Sequence, residues 1–194
     1  MATLNDDHFF SGLGEIVKMH LVAGPEATKR LEPNMAALCR REQASIGDAV
    51  RASLLIKQQF IEEDEFDRGR RRLLNFGHCF GHALESASNF ALPHGQAVVA
   101  GMILAGLVAR ARGQLSAATE ERLRRELLRP ALVVPPDRLA LDADTVIGAM
   151  RQDKKRTGPK LALVMLSDGF AIEVVDDLGE DEAREALREL KEVL

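Results

Sequence analysis

The 194-residue sequence predicts a mainly α-helical domain with one small β-hairpin. Three observations carry that expectation. Apolar residues recur at three- and four-residue spacing through most of the chain, as a buried helix face requires. Stretches that alternate apolar and polar residues are confined to positions 160–175. No strand–helix series and no glycine-rich strand-to-helix turn opens the chain, so nothing in it reads as a dinucleotide-binding half. With apolar residues at 46% and charged residues at 29%, one compact domain over residues 1–194 is expected.

The first helix is placed at Phe10–Val22, with Leu13, Ile16, Val17 and Leu21 on one face. Pro33 is suited to start a short helix over Asn34–Arg41. Asp48–Glu63 repeats apolar residues at Val50, Leu54, Ile56 and Phe60. Two apolar helices follow, Leu73–Ser88 and Ala97–Arg112, joined by a turn that holds Pro93 and Gly95. Ser116 caps a charged amphipathic helix that ends near Pro130. After the proline-containing linker Val133–Arg138, Asp142–Gln152 forms another short helix. Lys160–Leu166 and Ala171–Val175 flank Ser167-Asp168-Gly169, a turn signal that makes them a hairpin. Glu180–Leu194 closes the chain as an amphipathic helix.

Charge and composition exclude several function classes. A net charge of −4 gives no reason to expect nucleic acid or an anionic membrane as partner. Two cysteines, Cys39 and Cys79, make no disulfide framework, and MATLNDDHFF lacks the pattern of a signal peptide. A cytoplasmic protein is expected. The uncharged run Ala97–Ala109 is too short to span a bilayer and reads as a core helix.

Three of the five histidines fall close together: His78, His82 and His94. On a helix His78 and His82 project from one face, about one turn apart. His94 follows a short turn that can fold it back toward them. Imidazole nitrogens and a carboxylate suit zinc, and Glu15, on an otherwise apolar first helix, is the carboxylate candidate. Gly77, Gly81 and Gly95 beside these histidines allow close approach of backbone or ligand.

The strings RRLLNFGHCFGHALE and PHGQAVVAGM resemble the signature of the 3-dehydroquinate synthase family, R-x-x-L-N-x-G-H-T-F-G-H-A-x-E followed by H-G-E-x-V. GLGEIVK resembles the family's G-x-x-E-x-I-K segment, and Asp153-Lys154-Lys155 its D-K-K stretch. The resemblance spans nearly the whole chain but only the family's C-terminal, metal-binding half. It implies Glu15, His78 and His94 as ligands of zinc or cobalt, with His82 a substrate-phosphate contact instead. It also implies Lys18 and Asn75 as substrate contacts, Lys57 and Arg71 as the clamp for a substrate carboxylate, and Lys154 or Lys155 at the phosphate. Asp67 stands where the family commonly has Glu. Cys79 replaces the usual Thr and is expected to be buried and inert; Gln96 replaces the usual Glu, removing a charge next to His94.

The resemblance further implies a phosphate-eliminating lyase. A seven-carbon keto-acid phosphate is oxidised by NAD, loses phosphate, is reduced again and closes by an aldol step. NAD would come with an N-terminal domain in cis or in trans, and the family is consistent with a homodimer. Competing readings are another sugar-phosphate cyclase, a metal-dependent alcohol dehydrogenase-like domain, and a non-catalytic metal-binding helical fragment.

Overall fold

A computed structural model describes residues 4–66, 69–139, 142–152 and 161–194. Its helices are α1 (Asp6–Val22), α2 (Pro25–Leu31), α3 (Met35–Cys39), α4 (Gln43–Glu63), α5 (His78–Ala87), α6 (His94–Ala111), α7 (Ala117–Leu123), α8 (Arg129–Ala131), α9 (Pro136–Leu139), α10 (Ala143–Gln152) and α11 (Glu180–Val193). Strands β1 (Leu161–Leu166) and β2 (Ile172–Leu178) pair antiparallel, with Leu163 opposite Val175 and Leu166 opposite Ile172. Among the described residues the fold is therefore mainly helical with one hairpin.

The core is built around α6. Residues 95–105 and 107–109 are all buried, and α1, α5 and α11 pack against the helix. By length and composition α6 could cross a membrane, since the helix is longer than the uncharged run inside it. Of its 18 residues 78% are instead buried inside the fold, which makes it the core helix. Ser116 caps α7 as expected, accepting the backbone N–H of Thr119. That helix continues through a π-helical turn, Arg124–Leu128, into α8, where Pro130 removes one backbone donor.

Several expectations are corrected. α1 begins four residues before Phe10, because the Asn5 side chain accepts the backbone N–H of His8 and caps the helix there. α2 forms where the sequence pattern predicts no element; Pro25 stands at its first position. The helix expected over Asn34–Arg41 is a 3₁₀ turn, Glu32–Asn34, followed by α3. α4 starts earlier, and its Leu54 is 63% exposed rather than on the core face. The expected linker Val133–Arg138 contains most of α9, and β2 runs on to Leu178.

One correction shapes the site. Leu73–Ser88 is not continuous: Arg70–Asn75 forms a 3₁₀ turn, and Gly77, with φ +77°, breaks the chain before α5 begins at His78. Gly77 needs the left-handed conformation that costs glycine least. α6 begins at His94, three residues earlier than its apolar run suggests. There Gly95 lies against α1 so closely that a Cβ on it would stand 2.1 Å from the Ser11 carbonyl oxygen. The glycines beside the histidines thus admit neighbouring backbone.

Candidate metal centre

Three elements converge at the point where α6 starts. α1 brings Glu15, the first residue of α5 is His78, and the first residue of α6 is His94. Glu15 Oε1 lies 3.9 Å from His78 Nε2 and 3.8 Å from His94 Nε2. Both distances are too long for hydrogen bonds, and Oε1 is shielded from water with no hydrogen-bond partner among the described residues. A buried carboxylate oxygen without a partner is costly, so its surroundings must compensate. Ligands at about 2.0–2.2 Å from a tetrahedral zinc stand about 3.3–3.6 Å apart, so closure by a few tenths of an ångström would bring Glu15 to ligand spacing from His78 and from His94. Their ligand atoms lie within 4.8 Å of one another. The donor set of two imidazoles and one carboxylate fits zinc or cobalt.

Charge around Glu15 is divided between its two oxygens. Lys18, one turn along α1, places Nζ 2.8 Å from Oε2. Burial alone would raise the Glu15 carboxyl; the Lys18 charge and hydrogen bond, with the His78 and His94 imidazoles, outweigh it and hold it below the usual range. Burial pushes Lys18 down from its ordinary value, and the nearby Lys57 charge adds to this. His78 is pushed down to about 4, first by burial and then by the Lys18 charge. At neutral pH its imidazole is therefore uncharged, as a metal ligand must be.

His82 lies beside the cluster, its ring centroid 5.2 Å from that of His78 and 5.8 Å from that of His94, nearly parallel to the latter. Lys57 is exposed on α4 and stands with Glu15 on the lining of a cavity of about 230 Å³ between α1 and α4, whose other walls are mainly apolar. Arg71 is half-buried; its guanidinium donates to the Glu65 carbonyl at 2.9 Å, and its backbone N–H to Asp64 Oδ2 at 3.1 Å. Asn75 is exposed at the end of the 3₁₀ turn before His78. Asp67, Lys154 and Lys155 lie outside the described residues.

Two substitutions relative to the family pattern turn out differently from expectation. Cys79 is half-buried against the core rather than fully enclosed. Gln96 is fully buried and points away from His94: its Nε2 donates to the Ala131 carbonyl at 2.9 Å, and its Oε1 accepts the Val133 N–H at 2.8 Å. It ties α6 to the segment after α8. The residue that does touch His94 is Glu85, whose Oε2 lies 3.0 Å from His94 Nδ1. The signal was available in GHALE, where Glu85 follows His82 by three and His78 by seven, on one helix face.

Comparison with known proteins follows the same line. Residues 12–156 match the family described as 3-dehydroquinate synthase C-terminal. A 3-dehydroquinate synthase of Dehalococcoides mccartyi (strain CBDB1) is 32% identical over 191 residues, 98% of this chain and 53% of that protein. One from Laribacter hongkongensis is 39% identical over 165 residues, 84% of this chain and 45% of that protein. The chain thus spans about half the length of these curated relatives. Among solved structures, 2-epi-5-epi-valiolone synthase from Streptomyces hygroscopicus subsp. jinggangensis 5008, with NAD+ and Zn2+ bound, superposes at TM-score 0.81 with 25% identity, over 98% of this chain and 53% of that one. A 2-deoxy-scyllo-inosose synthase shares the fold at TM-score 0.70 and 21% identity, over 97% of this chain and 54% of that one. The chain belongs to the 3-dehydroquinate synthase family, and the part of that family it matches is the C-terminal domain.

Proposed function

We propose that this chain is the metal- and substrate-binding half of a cytoplasmic 3-dehydroquinate synthase-like enzyme. The reaction converts the seven-carbon keto-acid phosphate DAHP to 3-dehydroquinate with loss of phosphate, a step of the shikimate pathway. The observation that carries this reading is the shielded Glu15 Oε1 facing the Nε2 atoms of both His78 and His94. Zinc or cobalt held by these three residues supplies Lewis-acid polarisation of substrate hydroxyl oxygens. NAD, brought by a partner half in cis or in trans, supplies the hydride acceptor and donor.

The chain's own groups orient the substrate and disperse its charge. Lys57 and Arg71 hold the carboxylate, Arg71 offering a planar fork and Lys57 a point charge. His82, with Lys154 or Lys155, binds the phosphate, while Lys18 and Asn75 contact the carbon skeleton's oxygens. Asp67 contributes the acidic position of the site. Fixing these contacts lowers the entropic part of the barrier and stabilises developing charge.

Phosphate release from the keto-acid phosphate, with NAD and zinc present, tests this directly. The 194-residue chain alone should release none. Joined to the N-terminal half of a 3-dehydroquinate synthase it should turn over, and Lys57→Met or Arg71→Met should raise KM. Turnover by the chain alone contradicts the reading. The likeness to the valiolone synthase fold favours a second reading, a cyclase for a sugar phosphate without a carboxylate. Preference of the paired protein for such a substrate, unaffected by Arg71→Met, would establish it.

A further inference from the structure

We propose that Glu85 is a positioning residue for His94: its carboxylate accepts a hydrogen bond from Nδ1–H and so turns Nε2, unprotonated, toward Glu15. The inference rests on the metal-site reading above and concerns a residue to which that reading gives no role. A neutral imidazole carries one proton, and the hydrogen bond at one nitrogen decides which nitrogen keeps a lone pair. Glu85 Oε2 stands 3.0 Å from His94 Nδ1. An ionised carboxylate can only accept, so in the neutral ring Nδ1 is the protonated nitrogen. The lone pair then sits on Nε2, the atom 3.8 Å from Glu15 Oε1.

The two candidate imidazole ligands are held by different means. His78 has a side chain only 14% exposed, and its Nδ1 lies 3.1 Å from the Phe76 carbonyl oxygen, two residues earlier on a backbone fixed by Gly77. Packing and the backbone suffice there. His94 is 47% exposed and opens α6, so neither burial nor a local carbonyl fixes its ring. Glu85 reaches it from α5 with a side chain only 14% exposed, which makes it the better-held partner. A carboxylate behind a ligating imidazole both fixes the ring and raises its basicity, and losing it typically weakens metal binding 10–100-fold.

Glu85, His82 and His94 also come close enough to form a cation group of their own. The existing contact argues for positioning instead. A metal held there through Glu85 Oε2 or His94 Nδ1 would have to break the hydrogen bond between them.

Zinc and cobalt titrations of the purified 194-residue chain separate these cases, with a competing chelator to measure affinity. The wild type should bind one equivalent, and Glu15→Ala should abolish it. Glu85→Ala should bind one equivalent 10–100-fold more weakly. Glu85→Gln keeps a neutral acceptor at the same reach, so it should lose less, and it carries the test if the alanine variant fails to fold. Imidazole nitrogen NMR of the metal-free protein gives a readout that simple destabilisation does not move. His94 should show protonated Nδ1 in the wild type and revert toward the Nε2-protonated form in Glu85→Ala. Wild-type affinity and an unchanged His94 tautomer in both Glu85 variants would overturn the inference. So would loss of a second, weaker equivalent with the first intact, since Glu85 would then be a ligand of a separate ion. If Glu15→Ala binds like wild type, the metal-site reading itself fails, whatever Glu85 does.

Discussion

Lys18 Nζ and Glu15 Oε2 stand 2.8 Å apart, one turn along α1, and this ion pair leaves only the other carboxylate oxygen for the imidazoles. Lys18 is 3% exposed, whereas the Glu15 side chain is 34% exposed, so solvent screens the pair from one side only. Lys18→Met would leave Glu15 without its nearest cation in the metal-free protein. The cost should be about 1–2 kcal/mol, less than for a fully buried pair because of that screening. Zinc would then face no competing ammonium. Thermal melts should show a lower metal-free Tm and a larger rise on adding zinc than in the wild type. An equal fall in both states would mean that the lysine does not compete with the metal.

His78 makes the metal-free protein sensitive to acid. Its folded value of about 4 lies below the ordinary 6.5, so the unfolded chain binds its proton more readily. Stability from this residue is complete above pH 6.5 and is lost as pH falls toward 4. The difference of 2.5 units corresponds to about 3 kcal/mol at most. His20, also pushed down by burial, acts in the same direction. Urea unfolding between pH 7 and pH 4.5 should show this slope, and His78→Gln should flatten it. An equal slope in that variant would assign the effect to His20 and other groups.

Gly95 sets the distance between α1 and α6, and hence between Glu15 and His94. A Cβ there would stand 2.1 Å from the Ser11 carbonyl oxygen, with helix backbone on both sides and no flexible side chain to yield. Gly95→Ala should cost about 1–3 kcal/mol through overpacking. Zinc affinity should fall as well, because α1 has to move and carries Glu15 with it. Gly148→Ala in α10 is the control: no atom of the described residues lies within 4 Å of its Cβ position, and it should stabilise by about 1 kcal/mol or less. Metal titration beside thermal melts of both variants checks the pair.

These contacts mark how far the sequence could be read. Periodicity reveals α11 because it buries one stripe against the core, the uncharged apolar run reveals α6 because that helix is buried nearly all round, and Ser167-Asp168-Gly169 reveals the hairpin because it forces a turn. The break at Gly77 is hidden: apolar residues run on across it, and only the packing of α5 on α6 demands the left-handed residue. α2 is hidden for another reason, since a seven-residue helix with only Thr28 and Leu31 buried carries too little pattern. At the site, three clustered histidines and Glu15 are legible as metal chemistry, but the choice of His78 and His94 over His82 comes only from the family resemblance. Glu85 went unnoticed because its role lies in a contact with the first residue of another helix, and spacing along α5 alone does not state that.

Gln96 shows the same limit from the opposite side, because a position two residues from His94 in sequence faces the other way in space. Both ends of its amide are used, Nε2 donating to Ala131 and Oε1 accepting from Val133, and the side chain is wholly buried. Gln96→Glu would set an ionised oxygen against the Ala131 carbonyl with no donor between them. The carboxyl should respond by keeping its proton, so its folded value rises above the unfolded one. Stability from such a group is present below the unfolded pKa and is lost as pH rises through the folded one. The variant should therefore be weaker than wild type at pH 7, by about 1–3 kcal/mol for one buried group left unpaired, and close the gap toward pH 5. Zinc affinity should be unchanged, since His94 does not touch this side chain. Urea unfolding at pH 5 and pH 7, with a zinc titration at pH 7, decides between this and a charge acting on the metal centre, which would alter affinity and leave the stability gap independent of pH.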